Sequence, residues 1–203
     1  YVDVGRAMYE VHQSTGCSVP AYMVFDARFR HLYPVGPVAP GYAAPDSRTP
    51  RKLKDGFMNR SQTLEELAQK IGVPADQLCA TVDAFNAMAI QGKDDDFGRG
   101  ETLSDRYYGD PRGQINSCLA PLVKAPFYAI AVYPGDLGTK GGLKTDGGGR
   151  VLREDGAPIQ GLYAAGNNAA SVMARTYPGA GGTIGPALTF GMVAAESAQE
   201  DRS

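Results

Sequence analysis

The 203-residue chain has little of what many enzymes work with. It has two histidines, His12 and His31, so an imidazole triad or a histidine-built metal centre has almost no material. Its three cysteines, Cys17, Cys79 and Cys118, stand far apart and form no Cys-x-x-Cys pair. Neither a disulfide framework nor a zinc site is expected from them, and no metal is assigned. Free thiols suit a reducing cytosol, so the expected location is cytoplasmic. No apolar run approaches the roughly 18 residues of a membrane span, and no leader-like segment opens the chain. Twenty Lys and Arg against 22 Asp and Glu leave a net charge of −2 with both signs interspersed. A nucleic-acid or polyanion binder needs a basic patch, and there is none to see. The dinucleotide fingerprint Gly-x-Gly-x-x-Gly is absent as well: Gly179-x-Gly181 meets Ile184 where the third glycine belongs. The Lys144–Arg150 turn, KTDGGGR, has no helical pattern after it. The opening YVDVGRAMYE reads as the middle of a longer protein.

What is present is apolar residue enough for a core, at 43%, and 26 glycines concentrated in the last third. The most informative stretch is GLYAAGNNAASVMARTYPGAGGTIGPALTFGMVAA, residues 161–195. A short apolar run, Leu162 to Ala165, stops at Gly166-Asn167, a junction that lets backbone approach a ligand and supplies an amide for hydroxyls. Taken alone, that junction is an ordinary turn after a strand. Tyr177-Pro178 then precedes Gly179, Gly181, Gly182 and Gly185, and Pro186 opens a helix of small residues. Proline suits a first helical turn because its missing N–H has no partner there anyway. Gly181 is read as presenting a bare N–H, and the helix dipole behind it favours negative charge. A helix cap alone seldom needs so many glycines, so a ligand-facing turn is the better reading of the pattern.

Along the rest of the chain, residues 1–13 read as helix or turn and Val19 to Phe25 as extended. Residues 31–60 carry Pro34, Pro37, Pro40, Pro45 and Pro50 and read as one long irregular loop. Thr63 and Glu66 form a capping-box pattern before Leu64, Leu67, Ala68 and Ile71. Gly72 ends that helix, and Pro74 opens a second with Leu78, Val82, Phe85 and Met88 on one stripe. The segment 101–125 carries no clear period. Short strands are expected at 127–133, 141–145, 150–152 and 159–165, and a last helix at 186–199. Asp26, Arg28, Asp136 and Lys140 read as surface or loop charges, and Tyr107, Tyr108 and Tyr133 as pocket-lining or core residues, the core being the favoured reading. The fold class expected is α+β, with a change of composition near 126–140 taken as the domain boundary.

The strings GDLGTKGGLKTDGGGRVL, GLYAAGNNAAS and RTYPGAGGTIGPALTFG resemble the C-terminal part of the 3-ketosteroid Δ1-dehydrogenases. These are FAD enzymes of the succinate dehydrogenase/fumarate reductase flavoprotein superfamily. TLEELAQKIGVPADQLCATVDAFN, DFGRG and VPAYMVFD are similar too, so the resemblance spans essentially the whole chain. It implies a substrate domain at 1–137. It also implies, at 138–203, the returning C-terminal segment of a glutathione-reductase-type FAD-binding α/β domain, whose N-terminal half would lie outside this sequence. Tyr177 resembles the tyrosine that hydrogen-bonds the 3-keto oxygen, and Gly181 the backbone donor to the same oxygen. Tyr1 resembles the base that removes the proton α to the ketone while a hydride leaves the β carbon for FAD. Gly166 and Asn167 resemble the ribityl-contacting strand end, and Gly185, Pro186, Ala187 and Leu188 the helix start under the flavin ring. The implied partners are a steroid, the FAD-binding half and an external electron acceptor. Rival readings are a fumarate-reductase-like enzyme, another ketosteroid desaturase, or a non-catalytic fragment. A fumarate-type site calls for an arginine-rich turn where Tyr177-Pro178 stands. Because the dinucleotide fingerprint is absent, the 203 residues by themselves are expected to purify colourless; absorbance in the flavin bands checks this, and a yellow preparation would relocate the cofactor site.

Overall fold

A computed structural model describes residues 4–112, 115–135 and 138–202. The chain is α+β and divides into two units: Pro20–Val132, and Tyr1–Val19 joined with Tyr133–Ser203.

In the first unit, β1 (Ala21–Phe25), β2 (Met58–Ser61) and β3 (Phe127–Val132) make an antiparallel sheet with β3 in the centre. Val24 and Asn59 both oppose Ala129 across it. Side chains of a strand alternate between faces, and both faces of this sheet are apolar. Ala129 packs with Leu67 and Ile71 of α4 (Leu64–Ile71) on one face, joined by Tyr22, Val24 and Phe127. Tyr128 and Ile130 pack with Phe25, Val35 and Met58 on the other. The Phe25 and Tyr128 rings stack with centroids 5.4 Å apart.

The capping pattern before α4 forms with a shift. Thr63 Oγ1 accepts the Glu66 N–H at 3.2 Å, but Glu66 Oε2 accepts from Gln62 N–H, one residue before the cap. Gly72 closes the helix in the left-handed region, and α5 (Ala75–Gln91) starts after Pro74 as expected. The segment without a clear period holds α6 (Leu103–Tyr108). A complete capping box of Thr102 and Asp105 starts it. Aspartate at the third helical position hid the signal, which is usually sought as Glu or Gln.

The proline-rich segment corrects the expectation of one irregular loop over 31–60. It contains a 3-10 turn at Asp46–Arg48, then α3 (Arg51–Gly56), then β2. Pro45 and Pro50 stand just before helical turns, where a fixed φ helps, and break nothing there. The segment is drawn together by α2 (Ala27–Leu32). Arg30 of that helix is 3% exposed and donates to the carbonyls of Ala39 (2.8 Å) and Ala44 (2.9 Å) and to Asp46 (3.1 Å). Asp46 also accepts the Tyr128 hydroxyl at 2.7 Å. Burial, then the Asp46 carboxylate, push the Tyr128 phenol above its ordinary range.

Asp26, expected at the surface, is 3% exposed. It caps α2 through the Phe29 N–H and accepts the N–H groups of Val123 and Lys124. A short carboxylate that satisfies three main-chain donors has reason to be buried. Tyr107, Tyr108 and Tyr133 depart the other way and are exposed, at 82%, 56% and 64%.

In the second unit, α1 (Val4–Thr15) has Met8 buried, and its Met8 carbonyl accepts the Ser18 hydroxyl at 2.6 Å. The hairpin of β4 (Arg150–Leu152) and β5 (Pro158–Tyr163) supplies Val151 to a small core with Ala164 and Ala169. The expected strand over 141–145 appears only as bridges, Leu143 to Ala169 and Thr145 to Val151. The last helix, α7 (Ile184–Glu200), is held to the hairpin at its end. Arg150 grips Asp201 with two bonds of 2.7 and 2.8 Å, and the Tyr163 hydroxyl adds a third at 2.5 Å.

The loop after α5 is built on Asp94, whose side chain is fully buried. The Arg99 guanidinium first, then the N–H groups of Arg99 and Phe97, hold its carboxyl down at about 2 against the opposing effect of burial. A depressed carboxylate stabilises the fold above its unfolded pKa of 3.8 and loses that contribution as pH falls through the folded value of about 2. Asp94→Ala is expected to cost about 2 kcal/mol at neutral pH, since charged hydrogen bonds are lost. The deficit should shrink as pH is lowered from about 4 towards 2, which denaturant melts at several pH values will check.

Candidate active site

The glycine-rich end of the chain folds around the start of α7, within the second unit. Gly166 has φ +63°, which favours glycine, and a Cβ there would sit 3.2 Å from the Ala187 Cβ of α7. That contact sets the strand end against the helix. Leu143 fastens the neighbouring segment, giving its N–H to Asn168 (2.9 Å) and accepting the Ala170 N–H (2.9 Å). Gly142 runs so close to this strand end that a Cβ would lie 2.5 Å from the Ala169 carbonyl carbon.

The chain then turns at Ser171–Thr176. Ala174 adopts φ +49°, uncommon for a residue with a Cβ. Tyr177 follows, half-buried. Its ring carries the Lys140 ammonium on its face, with Nζ 5.6 Å from the ring centroid. Pro178 to Gly182 form a tight turn in which the Gly182 N–H reaches the Gly179 carbonyl at 3.1 Å. Gly181 has φ +87°, its carbonyl accepts the Gly185 N–H at 2.8 Å, and a Cβ there would meet no atom within 4 Å.

Two hollows adjoin this turn. One, of about 40 Å³, is lined by Lys140, Gly166, Asn167, Gly182, Thr183 and Pro186. The other is an open cleft of about 600 Å³ lined by Thr139, Gly141, Gly142, Tyr163, Asn167 and Asn168. Thr139 and Asn167 belong to both. Of the residues singled out from sequence, Gly166, Asn167 and Pro186 thus meet at one hollow. Ala187 stands behind Gly166, while Gly185 and Leu188 face outward, Leu188 at 69% exposure. Tyr177 and Gly181 do not line either hollow. Tyr1 lies outside the described residues. Lys140, read as a surface or loop charge, stands in a loop, yet it is half-buried and lines the hollow. Nothing in its sequence position signalled this, because the contact joins residues 140 and 177 through the fold.

The chemistry of this region is that of a slot for something flat and polar-edged. Its walls are largely glycine and alanine, and its side-chain donors are the Asn167 and Asn168 amides and the Thr139 and Thr183 hydroxyls. The FAD binding domain family matches residues 1–184, and the chain belongs to that family. Its cofactor is FAD. The donor set fits one end of such a molecule: the Thr139 hydroxyl and the Asn167 and Asn168 amides suit a polyol, and the small-residue walls suit a ring.

Within the family, the chain is similar to the 3-oxosteroid 1-dehydrogenase of Mycobacterium tuberculosis. The two are 49% identical over 96% of this chain and 35% of that protein. It is 44% identical to the 4-oxocyclohexanecarboxylate 2-dehydrogenase of Sinomonas cyclohexanicum, over 96% of this chain and 33% of that protein. Its fold is similar to the crystal structure of 3-ketosteroid Δ1-dehydrogenase from Sterolibacterium denitrificans in complex with 1,4-androstadiene-3,17-dione. There the TM-score is 0.88 and the identity 50%, covering 98% of this chain and 35% of that one. The chain therefore spans about a third of the length of the relatives it matches. Among the described residues, no helix is long and apolar enough to cross a membrane.

Gly181 offers a direct test of the turn. Its φ of +87° costs a residue with a Cβ roughly 1–2 kcal/mol, although the space is open. In a full-length flavoprotein carrying this segment, Gly181→Ala is expected to lower thermal stability slightly while flavin absorbance is kept. Calorimetry and absorbance in the flavin bands check both halves; a variant as stable as the parent would show that the left-handed turn tolerates a side chain.

Proposed function

We propose that this chain forms the ketone-binding and flavin-edge part of an FAD-dependent 3-ketosteroid dehydrogenase that desaturates ring A. The observation that carries the reading is the turn at Tyr177–Gly181. A phenol, a left-handed glycine and the start of a 17-residue helix follow one another directly. The 49% identity to a 3-oxosteroid 1-dehydrogenase supports it.

In this reading the Tyr177 hydroxyl and the Gly181 N–H both donate to the substrate's 3-keto oxygen. When the carbon α to the ketone loses its proton, negative charge moves onto that oxygen. Donors already aimed at the oxygen bind the enolate more tightly than the ketone, and that difference lowers the barrier. Tyr1 is the proposed base for the α proton. When bound, FAD supplies the acceptor for the hydride that leaves the β carbon. The new double bond forms between the two carbons, so proton and hydride balance the loss of two hydrogens. Asn167, beside Gly166, offers its amide to the polyol of the cofactor. The main chain at Gly185 to Leu188 runs under the ring edge, where the positive end of the α7 dipole favours the negative charge of the reduced cofactor.

The division of labour follows the same reading. Residues 1–137 form part of the substrate domain, and residues 138–203 the C-terminal part of an FAD-binding domain. A cytoplasmic enzyme passing its electrons to an external acceptor completes the proposal. Because a cyclohexanone-type dehydrogenase is 44% identical over the same span, the feature held in common is a ring ketone. Turnover of a 3-ketosteroid against 4-oxocyclohexanecarboxylate decides which ring system fits.

Tyr177→Phe, in a full-length flavoprotein carrying this segment, should cost on the order of 10²–10³ in kcat, the usual loss for one oxyanion donor. The flavin spectrum should be unaltered. Near-normal oxidation of a 3-ketosteroid by that variant would remove Tyr177 from the reaction.

A further inference from the structure

Lys140 sits where the proposed donor phenol and the cofactor hollow adjoin. Its main chain is fixed, for its carbonyl accepts the Ser171 N–H at 3.1 Å. Three residues on, Leu143 is bonded both ways to the strand end that carries Gly166 and Asn167. The side chain is half-buried and runs along the hollow shared with Asn167, Thr183 and Pro186. It ends with the ammonium over the face of the Tyr177 ring, 5.6 Å from its centroid. One lysine thus lines a hollow with Asn167 and meets the ring of Tyr177, although these two come from opposite sides of the strained turn at Ala174.

A cation on an aromatic face is attracted by the ring quadrupole, and the attraction grows as the pair is desolvated. It is directional: it holds the ring plane facing the charge. A phenol oxygen lies in the plane of its ring, so a fixed plane confines the direction of donation to that plane. The same ammonium adds positive charge beside whatever oxygen the phenol meets.

We propose that Lys140 is a positioning residue for Tyr177. It orients the phenol by sitting on the ring face, and it adds a positive charge next to the developing enolate. The proposal rests on the donor role of Tyr177 given above. It assigns Lys140 no contact with the substrate; its action passes through the ring. Arginine can replace it because a guanidinium also stacks on aromatic faces, whereas methionine keeps the length and loses the charge.

The test compares Lys140→Met with Lys140→Arg in the full-length, FAD-loaded protein. Lys140→Met should lower kcat roughly tenfold, the size of a partly buried cation–π contact, while KM moves much less. Lys140→Arg should recover most of that loss. Fluorotyrosine placed at position 177 gives a second readout that needs no turnover. Its ¹⁹F resonance should shift in Lys140→Met and return towards the starting position in Lys140→Arg. An unmoved resonance, an unchanged kcat in Lys140→Met, or an arginine variant as slow as the methionine one would each overturn the proposal. The resonance reports the pair whatever Tyr177 does in turnover. A failure of the pairing is therefore distinguished from a failure of Tyr177 as donor, which Tyr177→Phe reads.

Discussion

Main chain passes within touching distance of main chain at the start of α7, and the candidate site depends on that approach. At Gly166 a side chain would press on Ala187, and at Gly142 it would enter the Ala169 carbonyl. Both positions need the volume of a hydrogen atom and no more. The approach draws three segments, around residues 140, 166 and 180, to one helix end. There the Gly185 N–H is held by the Gly181 carbonyl, and Pro186 stands in the first turn, where its missing N–H leaves no donor unmet. A site made this way is walled by main chain and small residues, with the Asn167 amide and the Thr139 and Thr183 hydroxyls at its edge. That suits chemistry in which charge develops on a carbonyl oxygen and must be met by dipoles already in place.

The other unit is organised by the opposite kind of contact, a buried charge. Arg30 carries its guanidinium to 3% exposure and spreads its donors over two carbonyls and a carboxylate. A buried ion of this kind is tolerated only when its donors are matched. The matching here converts a proline-rich stretch into an ordered path. Asp46 is the junction: it faces Arg30, receives the Tyr128 hydroxyl and lies 3.6 Å from Arg60. Helix α2, the loop and the central strand are thereby tied to one carboxylate. Asp201 does comparable work in the second unit, joining both strands of its hairpin to the end of α7. Its carboxyl is held down at about 2 by Arg150 first and then by the Tyr163 hydroxyl.

Much of the architecture was legible in the chain because its signals are local. Thr63, Gly72 and Pro74 mark helix ends by chemistry acting over three or four residues, and helices α4 and α5 stand where those residues put them. The short apolar run Phe127–Val132 marks a strand, and the family resemblance rested on strings such as RTYPGAGGTIGPALTFG. The proline-rich segment was harder to read, because its order comes from the buried guanidinium of Arg30, 9 to 16 residues from its partners, and from Tyr128, 82 residues from Asp46. Asp26 gave no sign of burial for the same reason: its partners Val123 and Lys124 lie nearly a hundred residues away. Tyr107 and Tyr108 misled by type, since aromatic residues usually pack, yet helix α6 leaves them in solvent.

Sequence alone therefore determined the α+β character, most helix and strand positions, and the membership of a flavin-binding family. The first two depend on periodicity, capping or glycine placement within a short window, and the last on the resemblance of whole strings to a known family. Tertiary structure decided which residues meet. Gly166, Asn167 and Pro186 come to one hollow, Gly185 and Leu188 turn away from it, and Lys140 reaches the ring of Tyr177 across 37 positions of chain. Such meetings are set by long-range closure of the backbone around α7, and no local pattern of residue types encodes the distance between two loops.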